Sequence, residues 1–132
     1  IGAVLAADAN ADGKVDLVVN AGNGIVVLLG RGDGGFEPVR RSDGPPAGTG
    51  TYGWMTAADF DGDRKLDLAV VTTTGVMLLY GNGDGTFRGP VPVGVDARPL
   101  FITALDWNRD GKADLAVADR RLGTIAVWLN QR

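Results

Sequence analysis

Apolar residues in this chain fall in short consecutive runs that are separated by stretches rich in Gly and Asp. Most of the runs are β-branched or aliphatic, and their length suits strands rather than helices. Because the apolar positions are consecutive and do not alternate with polar ones, we expect these strands to be buried on both faces. The clearest runs cover residues 17–19, 25–29, 68–72, 76–80, 115–118 and 125–129.

The runs belong to a unit that repeats about every 50 residues, and four-strand units of this period are typical of β-propeller blades. Each unit is predicted to contain four strands. An acidic loop joins the first strand to the second, and a glycine turn follows each of the second and third strands. The sequence therefore predicts an all-β partial propeller in which blade 3 lacks its outer strand. In blade 1 we expect a weak outer strand around residues 36–40. The predicted blades are residues 1–49, 50–96 and 97–132.

The acidic loop at residues 59–67 places carboxylates at its positions 1, 3, 5 and 9. This spacing brings several oxygens to one side of a tight loop, which suits a hard cation that takes six to eight oxygen ligands, calcium above all. Without a cation, carboxylates so close together would repel one another. Residues 8–16 and 106–114 repeat the loop, with Asn replacing Asp at position 3. We call the three segments loop 1 (8–16), loop 2 (59–67) and loop 3 (106–114).

Positions 6 and 7 of the loops also allow predictions. Position 7 is lysine in every loop (Lys14, Lys65 and Lys112), and we expect it to offer its backbone carbonyl to the cation and to point its side chain into water. Position 6 is glycine in loops 1 and 3, which permits a left-handed backbone. Loop 2 has Arg64 there, so it either carries strain or bends differently around Gly62.

The loops have two other interpretations, an EF-hand and a metal-free turn. An EF-hand begins in the same way, but it needs a bidentate Glu at position 12 and flanking helices. Position 12 here is valine, and the flanks are predicted strands. An Asp- and Gly-rich turn held only by side-chain-to-backbone hydrogen bonds, with no metal, is the simpler alternative.

The motif D-x-[DN]-x-D-x-K-x-D-L, followed by an apolar strand and then G-x-G-D-G-x-F, resembles the FG-GAP/VCBS repeats of integrin-like and secreted β-propellers. The resemblance implies a propeller fold and about three structural calcium ions. The implied side-chain ligands are Asp8, Asn10, Asp12 and Asp16 in loop 1; Asp59, Asp61, Asp63 and Asp67 in loop 2; and Asp106, Asn108, Asp110 and Asp114 in loop 3.

Composition argues against catalysis. The chain has no His and no Cys, and Ser42 is its one serine, so the ordinary nucleophile–base pairs are missing. We therefore expect a non-catalytic module for extracellular binding, adhesion or display. A carbohydrate-binding lectin propeller and an accessory domain of a secreted hydrolase remain alternatives. Among the aromatic residues, Trp107 and Phe60 share loop position 2 and should be core, whereas Tyr52 and Trp54 are the candidates for stacking on a sugar ring.

The acidity is local, since ten of the 16 acidic residues lie in the three loops, while the net charge is only −3. This distribution argues against a nucleic-acid partner, and no apolar run is long enough for membrane insertion. A protein or glycan ligand is the expected partner. Because millimolar calcium occurs outside cells, we expect a secreted or cell-surface protein. Three blades cannot close a propeller, so we expect a segment of a longer propeller or copies that assemble, two making a six-bladed ring.

Overall fold

The computed structural model describes residues 2–45, 50–94 and 99–132, with Thr51 and Tyr52 described in their backbone alone. The described residues contain strands, turns and bends and no helix, so none of them forms a helix that could span a membrane. The strands are β1 (Val4–Ala7), β2 (Asp16–Asn20), β3 (Gly24–Leu28), β4 (Arg40–Asp43), β5 (Thr51–Ala58), β6 (Asp67–Thr72), β7 (Gly75–Gly81), β8 (Phe87–Val93), β9 (Pro99–Leu105), β10 (Asp114–Asp119) and β11 (Thr124–Trp128).

The strands form three antiparallel sheets in which sequence neighbours pair. The strand orders are β1-β2-β3-β4, β5-β6-β7-β8 and β9-β10-β11, so the third sheet has three strands and β11 is its outer edge. Each sheet is one blade, and the all-β propeller architecture with an incomplete third blade is confirmed. The predicted blade boundaries fall at or beside residues 46–49 and 95–98, which lie outside the described residues.

The outer strand of blade 1 differs from the prediction. Strand β4 covers Arg40–Asp43 and pairs with β3, whereas residue 36 makes only an isolated bridge to residue 30. Pro38 lies in the interval between this bridge and β4, where it has no N–H to donate to a ladder. The pairing resumes two residues later, in a strand that contains Ser42 and Asp43.

The core lies between the blades. One cluster joins blade 1 to blade 2 through residues such as Val18, Ile25 and Leu68, and a second joins blade 2 to blade 3. Every residue of β6 is buried, as the consecutive apolar runs predict. In β2, by contrast, burial alternates, which is the one-sided exposure expected of residues 17–19 when three blades do not close a ring. The reason is geometric, because only blade 2 has a neighbouring blade on each side within the described residues.

The three acidic loops occupy equivalent places in their blades. Each joins the innermost strand to the second strand, namely β1 to β2, β5 to β6 and β9 to β10. Since the blades stack in the same orientation, the loops lie at the same end of the molecule.

Candidate functional site

The loops share one scheme of hydrogen bonds from backbone to carboxylate. The N–H at position 6 donates to the position-1 carboxylate, as from Gly13 to Asp8 at 2.8 Å and from Arg64 to Asp59 at 2.9 Å. The N–H at position 7 donates to the position-5 carboxylate at 2.9 Å in all three loops. These bonds curl the backbone around the side chains. Asx-type turns are therefore present in all three loops, as the metal-free alternative expects.

The position-9 aspartates link each loop to the third strand of its blade. Asp16, Asp67 and Asp114 are buried, at 0%, 0% and 1% exposure. In each, one carboxylate oxygen accepts the position-2 N–H and the other accepts an N–H beside the end of the third strand, all at 2.8 Å. Charge-assisted hydrogen bonds of this kind stabilise a buried carboxylate. Position 9 is thus a structural link as well as a predicted ligand.

Each loop holds two residues in the left-handed backbone region, at positions 4 and 6. Loop 2 pairs Gly62 (φ 82°) with Arg64 (φ 66°), so Arg64 adopts the strained conformation that glycine adopts in the other loops. Loops 1 and 3 reverse the arrangement, with Ala11 and Arg109 at position 4 and glycine at position 6. The loops therefore do not bend differently, and each carries one non-glycine residue at a positive φ.

Loop 2 brings carboxylate oxygens of Asp59, Asp61 and Asp67 within 4.8 Å of one another. Burial raises the pKa of the Asp67 carboxyl above its ordinary value, and the charges of Asp61 and Asp63 raise it further, against hydrogen bonds from the N–H groups of residues 81 and 60. A cation among these oxygens would offset that repulsion. The donor set is all oxygen, so the residues present fit calcium.

Loop 3 differs from loop 2 at the same buried position. The N–H of Asn130 donates to Asp114 and is the largest cause that holds the pKa of this carboxyl below its ordinary value. Position 3 of loop 3 is Asn108, whereas loop 2 has the charged Asp61 there. Loop 2 is therefore the most negatively charged of the three candidate centres.

The position-7 lysines do not all simply point into water. The ammonium group of Lys65 lies 2.8 Å from Asp63 and that of Lys14 lies 3.3 Å from Asp12, although both side chains remain partly exposed. Hydrogen bonds and charge from Lys65 lower the pKa of Asp63. The lysine stems also pass beside Gly32 and Gly83 in the next turn of each blade. Both lysines therefore keep much of the side chain in water, as expected, while the ammonium group of each also pairs with the position-5 carboxylate of its own loop.

Several contacts at the loops were not predicted. The donors to the buried aspartates include Gly30 and Gly81, where a Cβ would overlap the carbonyl oxygen of residue 15 or 66. Glycine occurs at this position in both blades, and this recurrence was the sequence signal that could have predicted the contact. Arg88 lies 3.5 Å from Asp61 and also stacks over Tyr80, 5.6 Å from the ring centroid. No repeat pattern indicated this contact, because blade 1 has Glu37 at the matching place.

The aromatic residues singled out from the sequence differ in their exposure to solvent. Trp54 is 47% exposed and packs edge-to-face against Phe101, with ring centroids 5.1 Å apart. The side chain of Tyr52 lies outside the described part of the structure. Phe60 is buried as expected, but Trp107 at the same loop position is 63% exposed, so placing Trp107 in the core was wrong. The described chain provides no blade to cover that face of blade 3.

A cleft of about 380 Å³ lies between loop 2 and loop 3. It is lined by small residues of both blades, including Ala57 and Ala104, and by the charged residues Asp61, Lys112 and Arg132. Arg132 also donates to the hydroxyl of Tyr80 at 2.6 Å.

Comparisons with known proteins agree with this architecture. The sequence model of the FG-GAP-like repeat matches residues 8–70 and, overlapping them, residues 59–117. No curated protein sequence matches the chain. Among solved structures, a lectin of Agrocybe aegerita described as recognising non-reducing terminal N-acetylglucosamine is similar, with a TM-score of 0.71 and 22% identity. The similarity covers 97% of this chain and 35% of the lectin chain, so this chain spans about a third of the length of that lectin.

Proposed function

Because the chain belongs to the family of FG-GAP-like repeats, we propose that it is a calcium-stabilised, non-catalytic β-propeller module that binds a ligand outside the cell. The observation that carries this proposal is the convergence of the Asp59, Asp61 and Asp67 oxygens in a loop whose backbone scheme recurs in all three blades. By that recurrence, one calcium ion would be held in each loop by the side chains at positions 1, 3, 5 and 9 and the position-7 carbonyl.

The role of calcium in this proposal is structural. The loops connect the two innermost strands of each blade, so an ion that neutralises their carboxylates would stabilise the blade at its inner end. At a concentration about 100-fold above its dissociation constant, each ion would add about 2.7 kcal/mol to the free energy of unfolding. Sites of this kind fill at the calcium levels found outside cells, which supports a secreted or cell-surface location.

Thermal unfolding tests the calcium proposal. We expect millimolar calcium to raise the melting temperature of the wild-type chain by several degrees relative to chelator, with magnesium giving a smaller rise. Asp61→Ala should reduce the calcium-dependent rise while changing the melting temperature in chelator little. Asp43→Ala removes an exposed carboxylate outside the loops and serves as the matched control. Equal melting of the wild-type chain in calcium and in chelator would reject the proposal.

A glycan is the second candidate for the ligand. The Trp54–Phe101 pair carries this alternative, because two adjoining aromatic rings that are each about half exposed provide a surface on which a sugar ring stacks. The likeness to a lectin is consistent with it at the level of the fold.

A glycan array followed by titration of any positive glycan tests this candidate. Trp54→Ala should weaken binding by about 5- to 150-fold if the aromatic pair is the sugar site, since stacking on an aromatic side chain contributes about 1–3 kcal/mol. Trp107→Ala is the control, because Trp107 is an exposed aromatic residue outside the Trp54–Phe101 pair. An array without any bound glycan would leave a protein ligand as the remaining proposal.

A further inference from the structure

Arg88, in the outer strand of blade 2, is held in place beside loop 2. One of its guanidinium nitrogens donates to the carbonyl oxygen of Gly81 at 3.0 Å and to the side-chain oxygen of Asn82 at 3.3 Å. The guanidinium also lies over the ring of Tyr80, 5.6 Å from the ring centroid. Because these contacts fix the side chain, its positive charge acts at a defined place although half of the side chain is exposed.

The other terminal guanidinium nitrogen of Arg88 lies 3.5 Å from a carboxylate oxygen of Asp61. Asp61 is the position-3 residue of loop 2, and it contributes an oxygen to the group that also includes Asp59 and Asp67. The carboxylate of Asp61 is therefore shared between a fixed positive side chain and the centre at which calcium would bind.

The extra negative charge of loop 2 and the arginine occur in the same blade. Asn10 and Asn108 are the position-3 residues of loops 1 and 3, so only loop 2 has a carboxylate there. In blade 1 the residue aligned with Arg88 is Glu37, whose carboxylate lies 3.8 Å from Arg40. The arginine thus accompanies the one position-3 carboxylate that needs a compensating charge.

We propose that Arg88 is a built-in counter-ion of loop 2 that competes with calcium for Asp61 and thereby lowers the calcium affinity of this loop, an inference that rests on the proposed calcium site. Without the ion, Arg88 pairs with Asp61 and reduces the repulsion among the loop 2 carboxylates. When the ion binds, it takes up the Asp61 carboxylate and repels the nearby guanidinium. The outer strand β8, which carries Arg88, therefore sets how readily loop 2 fills.

Calcium titration calorimetry in a suitable background tests the proposal. Asp12→Asn and Asp110→Asn weaken loops 1 and 3 but keep a side-chain oxygen for the N–H at position 7, so loop 2 becomes the one loop with all four carboxylates. In this background Arg88→Gln should tighten calcium binding by about 1.5- to 5-fold at low salt, the range expected for an exposed ion pair. The gain should shrink as the salt concentration rises.

A double-mutant cycle identifies Asp61 as the group through which Arg88 acts. With Asp61→Asn present, Arg88→Gln should lose most of its effect on calcium affinity, because the shared carboxylate is gone. Arg64→Gln is the charge-matched control, since the backbone N–H of Arg64, and not its side chain, bonds to a loop carboxylate. It should change the affinity less than Arg88→Gln does. Arg88→Lys keeps the charge and should remain closer to wild type.

Nuclear magnetic resonance of the wild-type chain provides a readout that needs no substitution. The side-chain N–H signals of Arg88 should shift as calcium is added, whereas those of Arg40 should not, because Arg40 pairs with Glu37 outside the loops. Unshifted Arg88 signals, an unchanged or weaker affinity in Arg88→Gln, or an equal gain with Asp61→Asn present would each overturn this inference alone. Absence of calcium binding by the wild-type chain would reject the proposed function and this inference with it.

Discussion

Single residues in the loops determine how tightly the backbone can curl around the carboxylates. Every loop needs a left-handed conformation at positions 4 and 6, and in each loop glycine occupies just one of the two. The sequence predicts the requirement at position 6, since glycine occurs there twice. It does not predict the requirement at position 4, because two of the three loops have a non-glycine residue there, Ala11 and Arg109. A non-glycine residue at a positive φ cannot be recognised from its residue type when the hydrogen bonds around it compensate the strain.

Arg64 provides a test of this strain. The left-handed conformation costs a non-glycine residue about 1–2 kcal/mol, whereas glycine loses about 0.5–1 kcal/mol of backbone entropy on folding. We therefore expect Arg64→Gly to raise the free energy of unfolding by about 0.5–1 kcal/mol in urea titrations with chelator present. Gly13→Ala should have the opposite effect, because Gly13 has a φ of 81° and open space around its missing Cβ. A loss of stability in Arg64→Gly would contradict the account.

At the scale of the element, the acidic loop is tied to the blade through its last aspartate. The sequence presents position 9 as one more ligand, since the spacing alone cannot show that the carboxylate is buried. In the structure the Asp67 carboxylate accepts hydrogen bonds from the N–H groups of Phe60 and Gly81, and so joins loop 2 to the third strand. The pairing of the strands was predictable from the apolar runs. The start of β4 at Arg40 was not predictable in this way, since β4 itself contains no apolar residue.

Asp67→Ala separates the structural link from metal binding. The substitution leaves two buried N–H groups without an acceptor, and each unsatisfied group costs about 1–3 kcal/mol. We expect it to lower the free energy of unfolding by about 2–6 kcal/mol in chelator as well as in calcium. Asp63→Ala, at an exposed position in the same loop, should lower stability mainly when calcium is present. Equal stability of Asp67→Ala and the wild-type chain in chelator would contradict the structural role.

At the scale of the whole molecule, the three blades are similar in strand order but unequal in burial. Only the middle blade is covered on both sides within the described residues, which explains why Phe60 is buried while Trp107 is exposed. The repeat pattern predicted the fold class and the missing outer strand because both follow from the order of runs along the chain. It could not predict which aromatic residues would be covered, since that depends on the neighbouring blade and not on the local pattern.

The central claim is that each of the three loops binds one calcium ion, and equilibrium dialysis with radiolabelled calcium counts those ions directly. The account predicts about three ions per wild-type chain at saturation in the millimolar range. Asp59→Ala should bind about one fewer, because it removes the position-1 ligand of loop 2. Asp43→Ala should bind as many as the wild-type chain, since this carboxylate lies outside the loops. No bound calcium at millimolar concentration, or no difference between wild type and Asp59→Ala, would contradict the claim.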